Sequence, residues 1–292
     1  MKNYQYIYDY KDHQVYRESF NELAEKTFGI NFHLWYEKGC WNDRYICHSY
    51  VDGDRVVANV SVNKMTVVRA GKEYRALQIG TVMTHPDYRN QGLSKALMKK
   101  IDDRYEGQYD FMYLFANDDV LDFYPKFGFT RMHERNDVLD VRNWEKQPTA
   151  QVRKLDPEDR KDFALLQTFA EERVPVSSEC GIKDGQHLLM FHFLLGFPES
   201  IYLIEEEEII VLYDEVEGTL HLYDVISRQR VDLKKMLPMI ISPHTKEIVF
   251  HFVPDYLERG LVEKETDGDA LFVRSSVPFA TTKLLFPVTS HA

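Results

Sequence analysis

The strongest constraint on the fold is a β-rich block over residues 45–85, YICHSYVDGDRVVANVSVNKMTVVRAGKEYRALQIGTVMTH. It is dense in Val, Tyr, Ile and Thr, residues that suit a pleated, half-buried surface. Two turn signals, Asp52-Gly53-Asp54 and Ala70-Gly71-Lys72, divide it into three antiparallel strands. Upstream, HQVYRESFNELAEKTFG spaces apolar residues at helical intervals and ends on Gly29, a C-cap; INFHLWYEKGCW holds a second short helix. Downstream come a helix from about Leu93 to Tyr105, a buried strand in YDFMYLFAN, a short helix in DVLDFYPKFG and a strand pair in FTRMHERNDVLDV. This order makes an α/β (α+β) sandwich with a mixed, mostly antiparallel sheet.

At 292 residues the chain exceeds one average domain, and a new start follows the polar stretch RNWEKQPTA. The expected domains are 1–145 and 146–292. In the second, QVRKLDPEDRKDFALLQTFAEE reads as a strand, a helix start at Asp156-Pro157 and an amphipathic helix. IYLIEEEEIIVLYDEVEGTLHLYDVIS gives strands separated by turns. A helical DLKKMLPMI, a strand EIVFHFV and a closing hairpin through Asp267-Gly268-Asp269 follow. The second half thus repeats the element order of the first. Its run Glu205-Glu206-Glu207-Glu208 reads as a charged strand end or turn, because alternate carboxylates on a strand point to opposite faces and cannot converge on an ion.

Charge and cysteine usage exclude several classes. A formal net charge of -11 argues against a nucleic-acid binder, which needs a basic face. The same charge aids solubility and weakly attracts cationic small molecules. Cys40, Cys47 and Cys180 have no metal-ligand spacing and read as reduced thiols. MKNYQYIYDYKDHQ lacks an apolar signal region, and no apolar run approaches the ~20 residues of a membrane helix. The expectation is a cytoplasmic protein with no metal and no membrane contact. The oligomeric state stays open, a homo-oligomer included.

Two segments carry chemistry. In HPDYRNQGLSKAL, between a strand and a helix, Gly92 lets the backbone pass close to a ligand and the helix start presents unpaired N–H groups. Successive amides there form a nest for anionic oxygens, and Arg89 adds a fixed cation. The P-loop frame and the three-glycine dinucleotide fingerprint are both absent. The second segment runs Asn117-Asp118-Asp119-Val120-Leu121-Asp122-Phe123-Tyr124-Pro125-Lys126-Phe127-Gly128-Phe129. On a helix, Val120, Phe123 and Tyr124 share a face, so Tyr124 is either a core aromatic or a phenol offered to a site.

Together, R-x-x-G-x-S after one strand and N-x6-Y-x-K-x-G-F after the next resemble the GNAT acyltransferase superfamily. That family's pyrophosphate loop carries Gln or Arg, then Gly three residues on, then Gly or Ala two further. Arg89 and Gly92 match it, and Ser94 replaces the small last residue. Asn117, Tyr124, Lys126, Gly128 and Phe129 match the second motif at full spacing, and the likeness covers roughly the first half of the chain. The resemblance implies an N-terminal GNAT fold using acetyl-CoA as co-substrate. Its diphosphate would sit on the amides of Asn90, Gln91, Gly92, Leu93 and Ser94, beside Arg89. The pantetheine arm would lie along Val82, Met83 and Thr84, where a backbone N–H polarises the thioester carbonyl. Asn117 would fix the coenzyme where the central strands part, and Tyr124 would be the general acid for the leaving thiolate.

The implied reaction moves an acetyl group to a primary amine by direct attack in a ternary complex. The acceptor is a small amine, with charge favouring a cationic one. The competing class is a non-catalytic acyl-CoA-binding regulatory protein. His85 reads as closing the turn, and YRALQIGTVMT holds no carboxylate, so no base is assigned. Trp35, Tyr36 and Trp41 lie where relatives cover the acceptor, as stacking surface or as core.

In the second half, RQRVDLKKMLPMI has no glycine and PDYLERGLVEK lacks the Asn-to-Tyr spacing. It reads as a degenerate GNAT-like domain that binds no coenzyme, packs against the first and lines the acceptor channel with its acidic surface. The tandem is similar to the enhanced-intracellular-survival acetyltransferases, which add a third, sterol-carrier-like domain and place the terminal carboxylate in the active site. This chain stops short of a third domain. Neither that role for its PVTSHA end nor those enzymes' aminoglycoside substrates is therefore carried over.

Overall fold

A computed structural model of the chain describes residues 4–145, 152–255, 260–276 and 283–292. The expected linker's residues 146–150 lie outside the described residues. The first half begins with a strand that the sequence reading missed, β1 (Gln5–Tyr8), then α1 (Gln14–Phe28) and α2 (His33–Glu37). Gly29 closes α1 at φ 70°, the left-handed conformation that glycine adopts without penalty. The β-rich block forms β2 (Tyr45–Asp52), β3 (Arg55–Arg69) and β4 (Lys72–Thr84), turning at both expected places. After them come α3 (Leu93–Tyr105), β5 (Phe111–Ala116), β6 (Thr130–Met132) and β7 (Arg135–Asp140). On α3, Leu93, Leu97, Met98, Ile101 and Tyr105 form one buried face, at the spacing that brings side chains to one side of a helix.

The second half supplies β8 (Val152–Lys154), α4 (Arg160–Glu172), β9 (Cys180–Lys183), α5 (Gln186–Phe191), β10 (Ile201–Ile204), β11 (Ile209–Val216) and β12 (Thr219–Ile226). Then follow α6 (Leu233–Ile240), β13 (Glu247–Phe250), β14 (Leu261–Glu265) and β15 (Ala270–Ser275). Helix α4 starts three residues beyond the expected Pro157. Asp159 caps it by accepting the N–H groups of Lys161 and Asp162, while Asp156 holds the preceding turn. The glutamate run is a single 3-10 turn between β10 and β11, with Glu208 left-handed at φ 51°.

The strands form two sheets of matching order. One runs β1-β2-β3-β4-β5-β15-β6, with β9 on β3, and the other runs β8-β10-β11-β12-β13-β7-β14. In each, one parallel pair occupies the same place, β4 with β5 and β12 with β13, and the other pairs are antiparallel. The sixth place in each sheet is filled by a strand of the other half. The expected pair in FTRMHERNDVLDV therefore does not form: β6 stays in the first sheet and β7 crosses to the second. Nor do β14 and β15 make the expected hairpin; they flank Asp267-Gly268-Asp269 in different sheets. A cut at 145/146 divides the chain by sequence but not by sheet.

Beside these exchanges the halves share a core. Phe20, Trp35, Trp41 and Tyr45 pack in one buried cluster with Leu166, Phe193, Ile201 and Ile210. The architecture is mixed α/β with two mostly antiparallel sheets, as the element order of the two halves led one to expect.

Candidate active site

The site begins where two central strands part. β4 pairs with β5 from Ala76 to Ile79, and there the pairing ends. At Thr81 and Val82 the strand bulges against Val60 of β3, with Thr81 at φ 48°, and it then resumes pairing with β3 alone at Met83 and Thr84. A bulge bends a strand and breaks its ladder on one side. The β5-facing edge of Val82, Met83 and Thr84 is consequently free to take an extended ligand. Two buried side chains pin the bulge. Asn59 Nδ2 donates to the Thr81 carbonyl at 2.9 Å, and the Tyr45 hydroxyl lies 2.7 Å from Thr81 Oγ1. Sequence reading passed over both, although a glycine inside the strand QIGTV and an asparagine inside VANVSV signal a bulge and its support.

The parting opens a cleft of about 700 Å³. Its walls include Val82, Met83, Thr84, Arg89, Ser94, Asn117 and Tyr124 together, so the two sequence motifs meet in one space. At the turn, Asn90 and Gly92 both adopt left-handed conformations (φ 61° and 74°), which curls the backbone around the start of α3. Gly92 is the N-cap of α3 and offers no side-chain cap, leaving the first-turn amides open. Ser94 accounts for its departure from the motif: its Oγ lies 2.8 Å from Thr84 Oγ1 and ties the helix start to the strand end. Of the remaining turn residues, Leu93 is buried in the α3 core, Gln91 accepts a hydrogen bond from the Tyr4 hydroxyl at 2.9 Å, and Arg89 Nε reaches the Thr84 carbonyl at 3.4 Å.

Tyr124 does not sit on the expected helix. The segment folds as two 3-10 turns, Asp118–Val120 and Tyr124–Phe127, ended by Gly128 at φ 79°. Its ring packs against Phe123, Phe129 and Phe272, and among the described residues nothing hydrogen-bonds its hydroxyl. Burial, with the Asp269 carboxylate adding to it, pushes the phenol up to about 12. The phenol thus stays protonated at neutral pH, as a donor must. β15 of the second half steadies this loop: Arg274 donates to the Phe127 carbonyl at 2.8 Å and pairs with Asp102 of α3.

His85 closes the turn and does not line the cleft. Its Nδ1 accepts the Asp87 N–H at 3.3 Å, and its Nε2 faces Arg55 at 2.7 Å and Lys26 at 3.0 Å. Burial and those two cations hold the imidazole below its usual value. Trp41 is core, donating from Nε1 to the Tyr45 carbonyl; Tyr36 lies under the Arg17 guanidinium; Trp35 alone of the three borders the cleft.

The second half also reaches the cleft, with one acidic side chain beside apolar ones rather than an acidic surface. It contributes Leu188 and Phe191 from α5, Asp269 from the crossing before β15, and Ala292. The tail that no role was carried over to therefore lies in the site. A Cβ built on Gly80 would stand 3.0 Å from that of Ala292, so a side chain there would push the tail back by a few tenths of an ångström. The tail is held by Thr289 on Asp224, which also takes two hydrogen bonds from Arg173, and by Gln78 donating to the Ser290 carbonyl at 3.0 Å.

Among the described residues, the second sheet shows no matching cradle. At the corresponding place after β12, Asp232 caps α6 and accepts the Lys234 N–H at 3.0 Å. Its own carboxylate fills the anion position that Gly92 leaves open in α3. Among the described residues, no cluster of three or more His, Cys, Asp or Glu could hold a metal, and no helix is long and apolar enough to cross a membrane. The three cysteines are buried and unpaired, and burial pushes Cys40 up to about 11 and Cys47 and Cys180 up to about 12.

Residues 4–132 match the sequence model of a family described as Acetyltransferase (GNAT) domain. Among solved structures, the chain is similar to a GCN5-related N-acetyltransferase from Kribbella flavida at 16% identity and TM-score 0.59, over 94% of this chain and 72% of that one. It is also similar to Eis1 from Mycobacterium abscessus, at 13% identity and TM-score 0.60, over 94% and 73%. A GCN5-related N-acetyltransferase from Anabaena variabilis follows at 15% and 0.56, over 93% and 73%. At such identities the likeness is one of fold, and it spans both halves. No curated protein matches the sequence.

Proposed function

We propose, from the match of residues 4–132 to the GNAT acetyltransferase domain, that the chain transfers an acetyl group from acetyl-CoA to a primary amine by direct attack in a ternary complex. One observation carries this reading: the cleft runs from Arg89 and Ser94, which flank the uncapped turn at Gly92, along the free edge of β4, to the unpartnered hydroxyl of Tyr124. The residues fit the coenzyme's chemistry in order. Arg89 and the amides from Asn90 to Ser94 would hold a diphosphate, by charge and by hydrogen bonds at a helix start. The open edge at Val82, Met83 and Thr84 would pair with the amide groups of the pantetheine arm, and one of its N–H groups would face the acyl oxygen. Asn117, at the mouth of the parted strands, would fix the coenzyme there.

Bound acetyl-CoA supplies an activated acyl carbon with a thiolate leaving group. Tyr124, kept protonated by burial, would donate to the sulfur. Over the reaction one N–C bond forms, one C–S bond breaks, and one proton passes from nitrogen to sulfur. A ternary complex is favoured over a cysteine-bound acyl intermediate because the three cysteines lie outside the cleft walls.

The test uses the full chain with acetyl-CoA and a panel of primary amines. Calorimetry should show acetyl-CoA binding, and thiol release should depend on an added amine. Absence of binding overturns the proposal. Binding without acceptor-dependent thiol release across the panel favours a coenzyme-binding regulatory protein.

A further inference from the structure

Resting on the acetyl-transfer reading above, we propose that the acceptor is a primary amine on an aromatic or branched aliphatic body, and that the second half of the chain selects it. The observation is the chamber that continues the cleft beyond the β4 bulge. Phe32, Trp35 and Tyr45 form its wall from the first half, and Leu188 and Phe191 of α5 close it from the second. The Phe191 ring lies 5.5 Å from Phe32 and 5.7 Å from Trp35, so the two halves meet ring to ring at the cleft wall.

The polar atoms of these walls are already taken. Trp35 Nε1 donates to the His187 carbonyl at 2.9 Å, and the Tyr45 hydroxyl is held by Thr81 at the bulge. What remains for a ligand is carbon surface. At the mouth, Phe28 is 42% exposed beside Ile30, which extends the apolar lining to solvent. The side-chain carboxylates lining the cleft among the described residues, Asp119 and Asp269, are both exposed and belong to the segments around Tyr124.

This distribution discriminates between amines. A polyamine or amino sugar seated in the chamber would have to strip water from several ammonium or hydroxyl groups against carbon surface that accepts no hydrogen bonds and offers a cation only a ring face, and buried polar groups left without hydrogen bonds are strongly disfavoured. An aromatic body instead buries its surface against Phe191, Phe28 and Ile30, which the buried Phe32 and Trp35 rings back, and leaves its amine at the bulge beside Tyr124. The net negative charge still draws a protonated amine to the mouth without setting which body enters. Leu188 and Phe191 are the acceptor-shaping contribution of a half that has no coenzyme cradle of its own.

The experiment measures kcat/KM of the full chain for 2-phenylethylamine, spermidine and glucosamine, with acetyl-CoA binding followed by calorimetry on the same samples. The expected result is a kcat/KM for 2-phenylethylamine at least about tenfold above the other two. Phe191→Ala should lower that value about 10- to 100-fold, chiefly through KM, with acetyl-CoA affinity unchanged. Phe191→Leu, which keeps an apolar filling, should retain most of it. If acetyl-CoA binds and spermidine or glucosamine is preferred, or no amine of the three is acetylated, this inference is overturned while coenzyme binding stands. A Phe191→Ala protein with an unchanged preference also overturns it. Failure to bind acetyl-CoA overturns the underlying reading instead, and this inference with it.

Discussion

Replacing Tyr124 by phenylalanine removes one oxygen and leaves the ring packing on Phe129 and Phe272 in place. The size of the loss follows from the phenol's surroundings. With its pKa pushed up to about 12, and a thiol ionising near 8.5, complete proton transfer to a leaving thiolate is uphill by roughly 3.5 pKa units, about 5 kcal/mol. Such a phenol works best as a hydrogen-bond donor to the developing charge on sulfur, with the proton following as product forms. A hydrogen bond to a charged group is worth about 1.5–3 kcal/mol, or a kcat loss of about 10- to 150-fold. Acetyl-CoA affinity should not change, because a neutral thioester sulfur is a poor acceptor. The assay is kcat by thiol release and Kd by calorimetry on the same protein. A kcat loss above about 10⁴-fold would refute the argument in favour of full general-acid transfer, and one below about threefold would remove Tyr124 from the chemistry. The pH profile adds a check on the cause. An alkaline limb centred near pH 8–9 that disappears in Tyr124→Phe contradicts a phenol raised by burial.

Three further outcomes follow from the geometry. Gly92→Asp imitates Asp232 of α6 and should weaken acetyl-CoA binding at least about tenfold more than Gly92→Asn, which shares its backbone strain without the charge; equal Kd values for the two would show that the helix start does not hold an anion. Acid should destabilise the protein through histidines kept neutral by burial: His48 and His187 are held down to about 3 and His192 to about 4. A lowered folded-state pKa means that the unfolded chain takes up the proton first, so stability is full above pH 6.5 and is lost as pH falls toward 4 and 3. At pH 5 each site costs about 2 kcal/mol, and a Tm that drops by less than about 3 °C between pH 7.5 and 5 contradicts this. An isolated 1–145 fragment lacks β15, which leaves β5 with an open edge and β7 without its sheet. It should be insoluble or inactive, and a soluble fragment with full turnover would show that the second half is dispensable.

How far the fold could be read from the chain depended on whether a feature was local. Gly29, Gly53 and Gly71 mark their turns by residue type alone, and the structure turns at each of them. The helix face of α3 is equally local, since its spacing is written in Leu93, Leu97 and Ile101. Strand partners are different. Thr130–Met132 and Arg135–Asp140 are adjacent in sequence and strand-like, yet nothing in their alternation says that the second joins a sheet built by residues 152–265. The same holds for Ala270–Ser275, whose partners are β5 and β6. The 3-10 geometry around Tyr124 was hidden because the motif spacing reads equally well on an α-helix. The bulge residues Thr81 and Val82 had a signal, the glycine just before them inside a strand, but their supports Asn59 and Tyr45 are set by pairing across β2 and β3.

The exchange of strands gives a physical reason why a half without a coenzyme cradle is retained. β15 lies between β5 and β6, with Leu271, Phe272 and Val273 buried, and its Arg274 ties the Tyr124 loop to α3. Removing it would expose a central strand and loosen the turn that aims the phenol. The second half meanwhile surrenders its own matching position to β7, so neither sheet is complete without the other. Once the two are interlocked, pressure to keep an anion site at the start of α6 is separate from pressure to keep the fold. A single residue is enough to separate them. Asp232 satisfies the helix start that Gly92 leaves open, stabilising α6 while excluding phosphate from it. In the proposed reading coenzyme binding has one address, on the first sheet, and the second half acts there through its reach: β15 under Tyr124, and Phe191, packed on Phe32 and Trp35, in the cleft wall.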